Sequence, residues 1–150
     1  MKKLTVVVLA LVAAACGGGA GSDSPAGPRD TLVFAASADA TTLDPHNTTD
    51  TESDQVIMMM YETLIGFDHD MKIVPRLAER WEVAADGVTW TFHLRDGIRF
   101  HDGTLFNADA VRRNFARVMD PVANHKRLVL FDMIDRVEAV DGRTVRITTK

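Results

Sequence analysis

The sequence predicts an α+β fold in which a mainly antiparallel sheet packs with two helices. Apolar and polar residues alternate strictly over 88–95, and this period of two is typical of a strand with one buried and one solvent-exposed face. Asp-Gly pairs, a strong signal for tight turns, divide the second half of the chain at 86–87, 96–97, 102–103 and 141–142. Two other segments carry apolar residues at helical spacing.

The folded part is expected to begin with a buried strand at 31–37, a short run with β-branched and aromatic members. The polar segment up to residue 51 is a predicted loop that contains Pro45 and Asn47. A helix is then expected from Thr51, which would cap it ahead of acidic residues in the first turn. Its core-facing stripe would consist of Val56, Ile57, Met60, Tyr61 and Leu64.

The cluster Met58-Met59-Met60 has two interpretations. Thioethers can bind metal or heme, but methionine also fills irregular gaps in apolar cores. Because the cluster lies on a predicted amphipathic helix, the sequence favours core filling over a metal or heme site.

A β-meander is predicted for the middle of the chain. One strand contains Trp81 and Val83, and the alternating segment 88–95 forms the next, with a turn between them. The last Asp-Gly pair separates 134–140 from 143–149, which predicts a further hairpin.

The second helix is expected to start after Asn107, a good N-cap residue. Its apolar face would be formed by Val111, Phe115, Val118 and Met119. Arg112, Arg113 and Arg117 fall away from this face. We interpret them as a solvated helix surface rather than an anion-binding site.

The N-terminus has the pattern of an export signal. Two lysines precede a twelve-residue, largely apolar run that ends at residue 15, so 1–15 is a predicted signal peptide. Cys16 follows three alanines and resembles the lipidated cysteine of a bacterial lipobox; the alternative is an ordinary cleaved signal that ends near a cysteine. Residues 16–30 would then form a lipidated, Gly- and Ser-rich tether, and 31–150 would form the folded part.

Charge and cysteine content exclude several classes of protein. The formal net charge is −4 and no basic stripe is present, which argues against nucleic-acid binding. A single cysteine excludes an intramolecular disulfide. His93, His101, Asp96 and Asp102 crowd together in the sequence, but the two aspartates are explained by their turns and the histidines have no metal-ligand spacing. The sequence therefore predicts no catalytic residues, no metal site and no cofactor.

Several blocks of the chain resemble the family 5 extracellular solute-binding proteins. They are LAERWEV at 77–83, DGVTWTFHLRDGIRFHDG at 86–103 and TLFNADAV at 104–111, preceded by TLDPHNTTDTESD at 42–54 and YETLIGFD at 61–68 and followed by IDRVEAVDGRTVRITTK at 134–150. These proteins are the peptide, dipeptide and nickel binders of ABC importers. The resemblance implies a periplasmic-binding-protein-like two-lobed clamp with an extra subdomain. Because family members are several times longer, residues 31–150 are expected to form only the N-terminal part of that clamp, namely the first strand of lobe one and the extra subdomain.

The resemblance also implies a place for the ligand. In the family, the loop before the first helix contributes main-chain and small polar contacts to the ligand. The residues at the corresponding positions of this chain are Thr48, Thr49, Asp50 and Thr51. A capped loop without ligand contacts is the alternative. His46 is expected to bond to backbone in this loop rather than to a ligand.

The implied function is extracytoplasmic capture of peptides, with the chain anchored by lipid, acting as a monomer, and delivering ligand to ABC permease subunits in the membrane. Ligands within the same family could instead be a nickel chelate, glutathione, heme or an oligosaccharide. A secreted hydrolase or a structural lipoprotein is the alternative from another class. The absence of a G-x-S-x-G motif disfavours the hydrolase.

Overall fold

The computed structural model describes residue 33 and residues 35–150. The predicted signal peptide, Cys16 and the tether up to residue 30 lie outside the described residues. The strand predicted at 31–37 lies partly outside them too, and its described residues form no strand. No helix in the described part of the chain is long and apolar enough to cross a membrane.

The unit formed by residues 36–150 contains two α-helices and six strands. Helix α1 spans Thr51–Met60 and helix α2 spans Ala108–Val118. The strands are β1 (Ile65–Phe67), β2 (Ile73–Pro75), β3 (Ala78–Val83), β4 (Thr89–Leu94), β5 (Ile134–Ala139) and β6 (Thr144–Thr149), with a short 3-10 helix at Leu128–Phe131 before β5.

All strand pairs are antiparallel, as predicted. Strands β1 and β2 form a small pair of their own, and the other four form one sheet in the order β3-β4-β6-β5. The two predicted hairpins, β3-β4 and β5-β6, meet through β4 and β6, where Trp90 lies opposite Ile147. Strands far apart in sequence are thus central neighbours, and the sheet joins both halves of the chain.

The Asp-Gly pairs form turns as predicted. Gly87 and Gly103 have φ angles of 71° and 84°, a left-handed region in which a Cβ is unfavourable. The preceding aspartates fold back on the turn: Asp86 Oδ1 accepts the backbone N–H of Thr89 at 2.9 Å, and Asp102 Oδ1 accepts that of Thr104 at 2.9 Å. These hydrogen bonds join residues of the same turn and stabilise it locally.

An apolar core lies between the sheet and α2, which packs against β5 and β6. Its buried residues are Ala78, Phe92, Leu94, Ala108, Val111, Val145 and Ile147. Full burial of side chains such as Leu94 contributes about 1.5–3 kcal/mol each. Val83, which alternates with polar residues in the sequence as buried strand residues do, is nevertheless 45% exposed, since it lies at the end of the edge strand β3.

Helix α2 matches its prediction closely. Asn107 is the N-cap, and its Oδ1 accepts the N–H of Ala110 at 2.9 Å. The N–H of Ala108 donates to the carbonyl of Gly142 in the β5-β6 turn at 3.0 Å. Val111 and Val118 are buried and Phe115 is half-buried, so the predicted apolar face is the one that packs.

Helix α1 differs from its prediction at both ends. Its N-cap is Asp50 rather than Thr51, because the carboxylate of Asp50 accepts the N–H of Ser53 at 2.8 Å while Thr51 already has helical geometry. The predicted stripe continues past the helix end, where Tyr61 is extended and helical spacing no longer applies.

The prediction that the methionines of α1 fill the core is wrong. Met58 is 72% exposed and Met59 is 69% exposed, whereas Ile57 is buried. A helix that rests on a narrow strip around Ile57 leaves the neighbouring positions facing solvent. These methionines and Tyr61 therefore form an apolar surface, which we call the α1 surface.

Candidate ligand-binding loop

The four predicted ligand-binding residues lie together at the N-terminus of α1, but their side chains differ in accessibility. Thr49 and Thr51 are exposed, Asp50 is half-buried and Thr48 is fully buried. The first backbone N–H groups of α1 also lie here, and such groups have no carbonyl partner within a helix. Hydroxyls and N–H groups directed at solvent can donate to carbonyl or carboxylate oxygens of a ligand.

The carboxylate of Asp50 is already engaged by the protein. Oδ1 accepts the Ser53 N–H, and Oδ2 accepts the hydroxyl of Thr41 at 2.8 Å and that of Thr48 at 3.2 Å. The hydrogen bonds from Ser53, followed by that from Thr41, hold the pKa of Asp50 well below its ordinary range. A ligand amine bound by this carboxylate would share it with the helix cap.

Ser53 connects the loop to the first turn of the helix. It is fully buried, and its Oγ accepts the backbone N–H of Thr41 at 3.0 Å and that of Thr42 at 3.3 Å. These two hydrogen bonds fix the start of the loop to α1. Breaking them would cost free energy, because the buried hydroxyl of Ser53 would lose its partners.

Helix α2 holds the same loop through His46. Nδ1 of the buried His46 ring lies 2.6 Å from Nη1 of Arg117, and its Nε2 lies 3.3 Å from Oδ1 of Asn114. Because a guanidinium can only donate, Nδ1 must accept, and the ring proton lies on Nε2 facing Asn114. Burial, followed by the charge of Arg117, lowers the pKa of His46 below its ordinary value of 6.5.

Arg117 also binds the carboxylate of Asp44 with two hydrogen bonds, from Nη2 to Oδ2 at 2.6 Å and from Nη1 to Oδ1 at 3.0 Å. These bonds lower the pKa of Asp44 from 3.8 to about 2. Two-point pairing of a guanidinium with a carboxylate fixes orientation as well as distance. Arg117 thus holds Asp44 and His46 in one arrangement.

Arg127 forms a second tie, from the segment before the 3-10 helix. Its Nε donates to the carbonyl of Thr48 at 2.9 Å, and its Nη2 donates to Oδ2 of Asp54 in α1 at 2.7 Å. Its backbone N–H donates to the carbonyl of His46 at 3.1 Å. The loop is therefore held from α1, from α2 and from the segment around residue 127.

These long-range ties were not predicted from the sequence. The sequence predicts a solvated surface for Arg112, Arg113 and Arg117. The prediction holds for Arg112 and Arg113, which pair with Asp109 on their own helix. It is wrong for Arg117, which binds the loop. His46 was expected to bond to backbone, whereas its ring bonds to side chains. The partners lie about seventy residues apart in the chain, and no local pattern signals such pairing.

The aspartates of the meander lie in turns as expected, and His93 contacts a neighbouring strand. His93 Nε2 lies 3.3 Å from Oε1 of Glu82 on the neighbouring strand, and Asp96 and Asp102 accept backbone N–H groups in their turns. Among the residues the structure describes, no group of three or more His, Cys, Asp or Glu side chains is arranged to hold a metal ion.

Comparison with known proteins gives the chain a family. Residues 72–150 match the profile of bacterial extracellular solute-binding proteins, family 5 Middle. The chain is 43% identical over 127 residues to the glutathione-binding protein GsiB of Pectobacterium atrosepticum, covering 85% of this chain and 25% of that protein. The chain thus spans about a quarter of the length of such relatives.

Solved structures agree. NikZ from Campylobacter jejuni, crystallised in complex with Ni(L-His), superposes with a TM-score of 0.73 at 30% identity, over 81% of this chain and 24% of that one. OppA of Haemophilus influenzae in complex with RPPGFSPFR gives a TM-score of 0.70 at 25% identity, over 75% of this chain and 25% of that one. The α+β arrangement of antiparallel sheets and two helices is therefore shared with about a quarter of each of these binding proteins. The chain belongs to the family 5 bacterial extracellular solute-binding proteins.

Proposed function

We propose that this chain is part of the extracytoplasmic solute-binding component of an ABC importer that captures a peptide or a peptide-like solute. The observation that carries the proposal is the family match over 72–150, together with 43% identity to a glutathione-binding protein. The geometry supports binding rather than turnover. A loop rich in hydrogen-bond donors is held rigidly at a helix N-terminus, a suitable place for carbonyl and carboxylate groups.

Glutathione is the first ligand to test. It is a small peptide-like molecule, and the relatives named for binding it are more similar to this chain than OppA is. Thr49 and Thr51 would contact it with their exposed hydroxyls, and Asp50 would hold its amine while capping α1. Thr48 would contribute through the loop backbone, since its side chain is buried.

A nickel chelate is a second candidate, favoured by the similarity to NikZ bound to Ni(L-His). In that case an amino-acid chelator would supply the metal ligands, because the described residues of this chain offer no cluster of them. The two candidates share a carboxylate group, which the donors at the N-terminus of α1 suit equally well.

The other parts of the proposal concern the setting of the protein. Cys16 would carry the lipid anchor, the tether would hold the domain away from the membrane, and ABC permease subunits would be the partners. The protein would act as a monomer, and no enzymatic activity is proposed for it.

Native mass spectrometry on the protein extracted from its own cells tests the function. We expect a peptide-class adduct that is released on denaturation, and a Cys16-linked diacylglyceryl mass that Cys16→Ser removes. Titration calorimetry with glutathione then compares Thr51→Ala with Thr104→Ala, which changes an exposed threonine in the turn at 102–104. Weaker binding only for Thr51→Ala is expected. Equal affinities would remove the loop from the site, and the absence of both adduct and calorimetric binding would contradict the proposed ligand.

A further inference from the structure

Arg117 is the one side chain of α2 that binds two different side chains of the candidate loop. We infer that Arg117 is a positioning residue for ligand binding, which orients the loop through His46 and Asp44 and releases it when His46 takes up a proton. The effect on ligand rests on the proposed function, whereas the effect on the loop does not. Arg117 itself is not proposed to touch the ligand.

The geometry of the pair makes it selective for neutral histidine. Nη1 of Arg117 lies 2.6 Å from Nδ1 of His46, a hydrogen-bond distance at which Nδ1 must accept. Protonation of Nδ1 would set two donors and two positive charges against each other at this distance. His46 as a residue is 7% exposed, so water cannot readily screen the repulsion.

Groups from three directions face the His46 ring. Asp44, in the same loop, favours the charged ring, and Asn114 of α2 accepts from its Nε2. Arg117 of α2 opposes the charge, as does His125, whose ring centroid lies 5.7 Å away. Asp44 already pairs with Arg117, and its effect on the ring is smaller than the effects of burial and of the Arg117 charge. The net effect therefore lowers the pKa of His46.

The sign of the pH dependence follows from this shift. A histidine whose folded-state pKa is lowered binds fewer protons in the ordered loop than in the released loop. The ordered loop is therefore fully favoured above pH 6.5, the ordinary pKa, and loses stability as the pH falls below it. Ligand affinity would fall in the same direction if the ligand requires the ordered loop.

A short path links His46 to the candidate contacts. The backbone N–H of Arg127 donates to the carbonyl of His46, and the Nε–H of Arg127 donates to the carbonyl of Thr48. Thr48 in turn bonds to the capping carboxylate of Asp50. Release of the His46 ring would therefore loosen the backbone from residue 46 to the start of α1, where the hydroxyls of Thr49 and Thr51 lie.

The test begins with the histidine itself. Nitrogen-15 NMR of the imidazoles in the 150-residue chain reports both the tautomer and the titration midpoint of His46. We expect the Nε2-H tautomer and a midpoint below 6.5 in the wild type. Arg117→Gln should raise the midpoint and increase amide exchange at residues 46–53 about threefold or more, since loss of one such tie shifts local opening. Arg113→Gln, on the same helix, is the matched control, because among the described residues Arg113 pairs with Asp109 and not with the loop.

Equal His46 midpoints and equal loop exchange in the Arg117→Gln and Arg113→Gln variants would overturn the inference. Where Arg117→Gln does not fold, Arg117→Lys replaces it, because a single ammonium can reach one of the two partners but not orient both. His125→Gln shows whether the neighbouring histidine accounts for the titration; if it abolishes the shift while Arg117→Gln does not, the inference is wrong.

Glutathione binding provides the second readout. The dissociation constant should rise as the pH falls from 7.5 to 5.5, by up to about tenfold per pH unit for one linked proton, and His46→Gln should flatten this profile. A flat profile in a wild type that binds glutathione would contradict the role of Arg117 in binding. If the chain binds no glutathione at any pH while the NMR results are as expected, the proposed ligand fails and the positioning of the loop stands.

Discussion

The two helices of this chain are held in different ways. Helix α2 packs apolar residues onto the four-stranded sheet and is capped by Asn107 and by the β5-β6 turn. Helix α1 buries Ile57 and Ser53. Polar contacts fix it in place, because Asp54 binds Arg127 and the Oγ of Ser53 accepts the N–H of Thr41. The sheet and α2 thus form a core of their own, whereas the loop and α1 depend on directional bonds.

This difference matters for function. Apolar packing tolerates small displacements, but hydrogen bonds weaken steeply with distance and angle. A loop fixed by guanidinium and carboxylate groups keeps its donors in one arrangement, as a binding site requires. The same bonds respond to protonation, so the loop region should be more sensitive to pH than the sheet.

The largest effect is expected in the core. Leu94→Ala removes a fully buried side chain and should lower the free energy of unfolding by about 2–5 kcal/mol, because a cavity remains. Urea denaturation followed by tryptophan fluorescence measures this, since Trp81 and Trp90 pack against the core. A loss below 1 kcal/mol would mean that the sheet and α2 do not form the main core.

A smaller loss is expected in the loop. Thr48→Val keeps the volume of a buried side chain but removes its hydrogen bond to Oδ2 of Asp50, and should cost about 1–3 kcal/mol because the acceptor is charged. Thr49→Val, at an exposed neighbour whose hydroxyl makes no hydrogen bond to the described residues, should change stability by less than about 0.5 kcal/mol. If the two variants unfold at the same urea concentration, polar ties do not stabilise the loop region.

Lowering the pH should destabilise the loop region specifically, because Asp44 lies in the loop. Its pKa is lowered from 3.8 to about 2, so its contribution to stability is present above pH 3.8 and is lost as the pH falls through 2. Asp44→Asn should lower the melting temperature at neutral pH and show a shallower decline between these pH values. Other aspartates titrate in both proteins, and the difference between the two profiles therefore isolates Asp44. Parallel profiles would show that the pair with Arg117 is not maintained in solution.

The smallest effect is expected on the α1 surface. Met59→Gln replaces an exposed thioether by a polar side chain of similar length and good helix propensity, so stability should change by less than about 0.5 kcal/mol. Thermal melts at one concentration compare it with the wild type. A loss above 1 kcal/mol would indicate that Met59 is buried in solution, as the sequence had suggested.

Local patterns predicted much of the fold. The alternating segment 88–95, the Asp-Gly turns and the cap at Asn107 each depend on residues close together in the chain, and all are present as expected. The same patterns predicted the α+β arrangement, and the resemblance added the solute-binding family, which the comparisons confirm. The ligand-binding role of residues 48–51 stays a prediction.

The remaining features depend on contacts that one sequence does not reveal. Nothing near Arg117 distinguishes it from Arg113, yet one binds Asp44 and His46 while the other binds the nearby Asp109. The cap position shifted by one residue because Thr51 and Asp50 are both suitable caps, and the geometry of the loop decides between them. The exposure of Met59 likewise follows from how α1 rests on its neighbours.

The α1 surface makes the chain sensitive to oxidation. Accessible methionines are readily converted to sulfoxides, whereas buried thioethers react slowly. At Met58 and Met59 the added oxygen would meet solvent, so oxidised protein should keep its sheet and its apolar core. Any polypeptide that packs over α1 would shield these sulfur atoms. The rate of sulfoxide formation at the two positions therefore reports whether this side of the helix is covered.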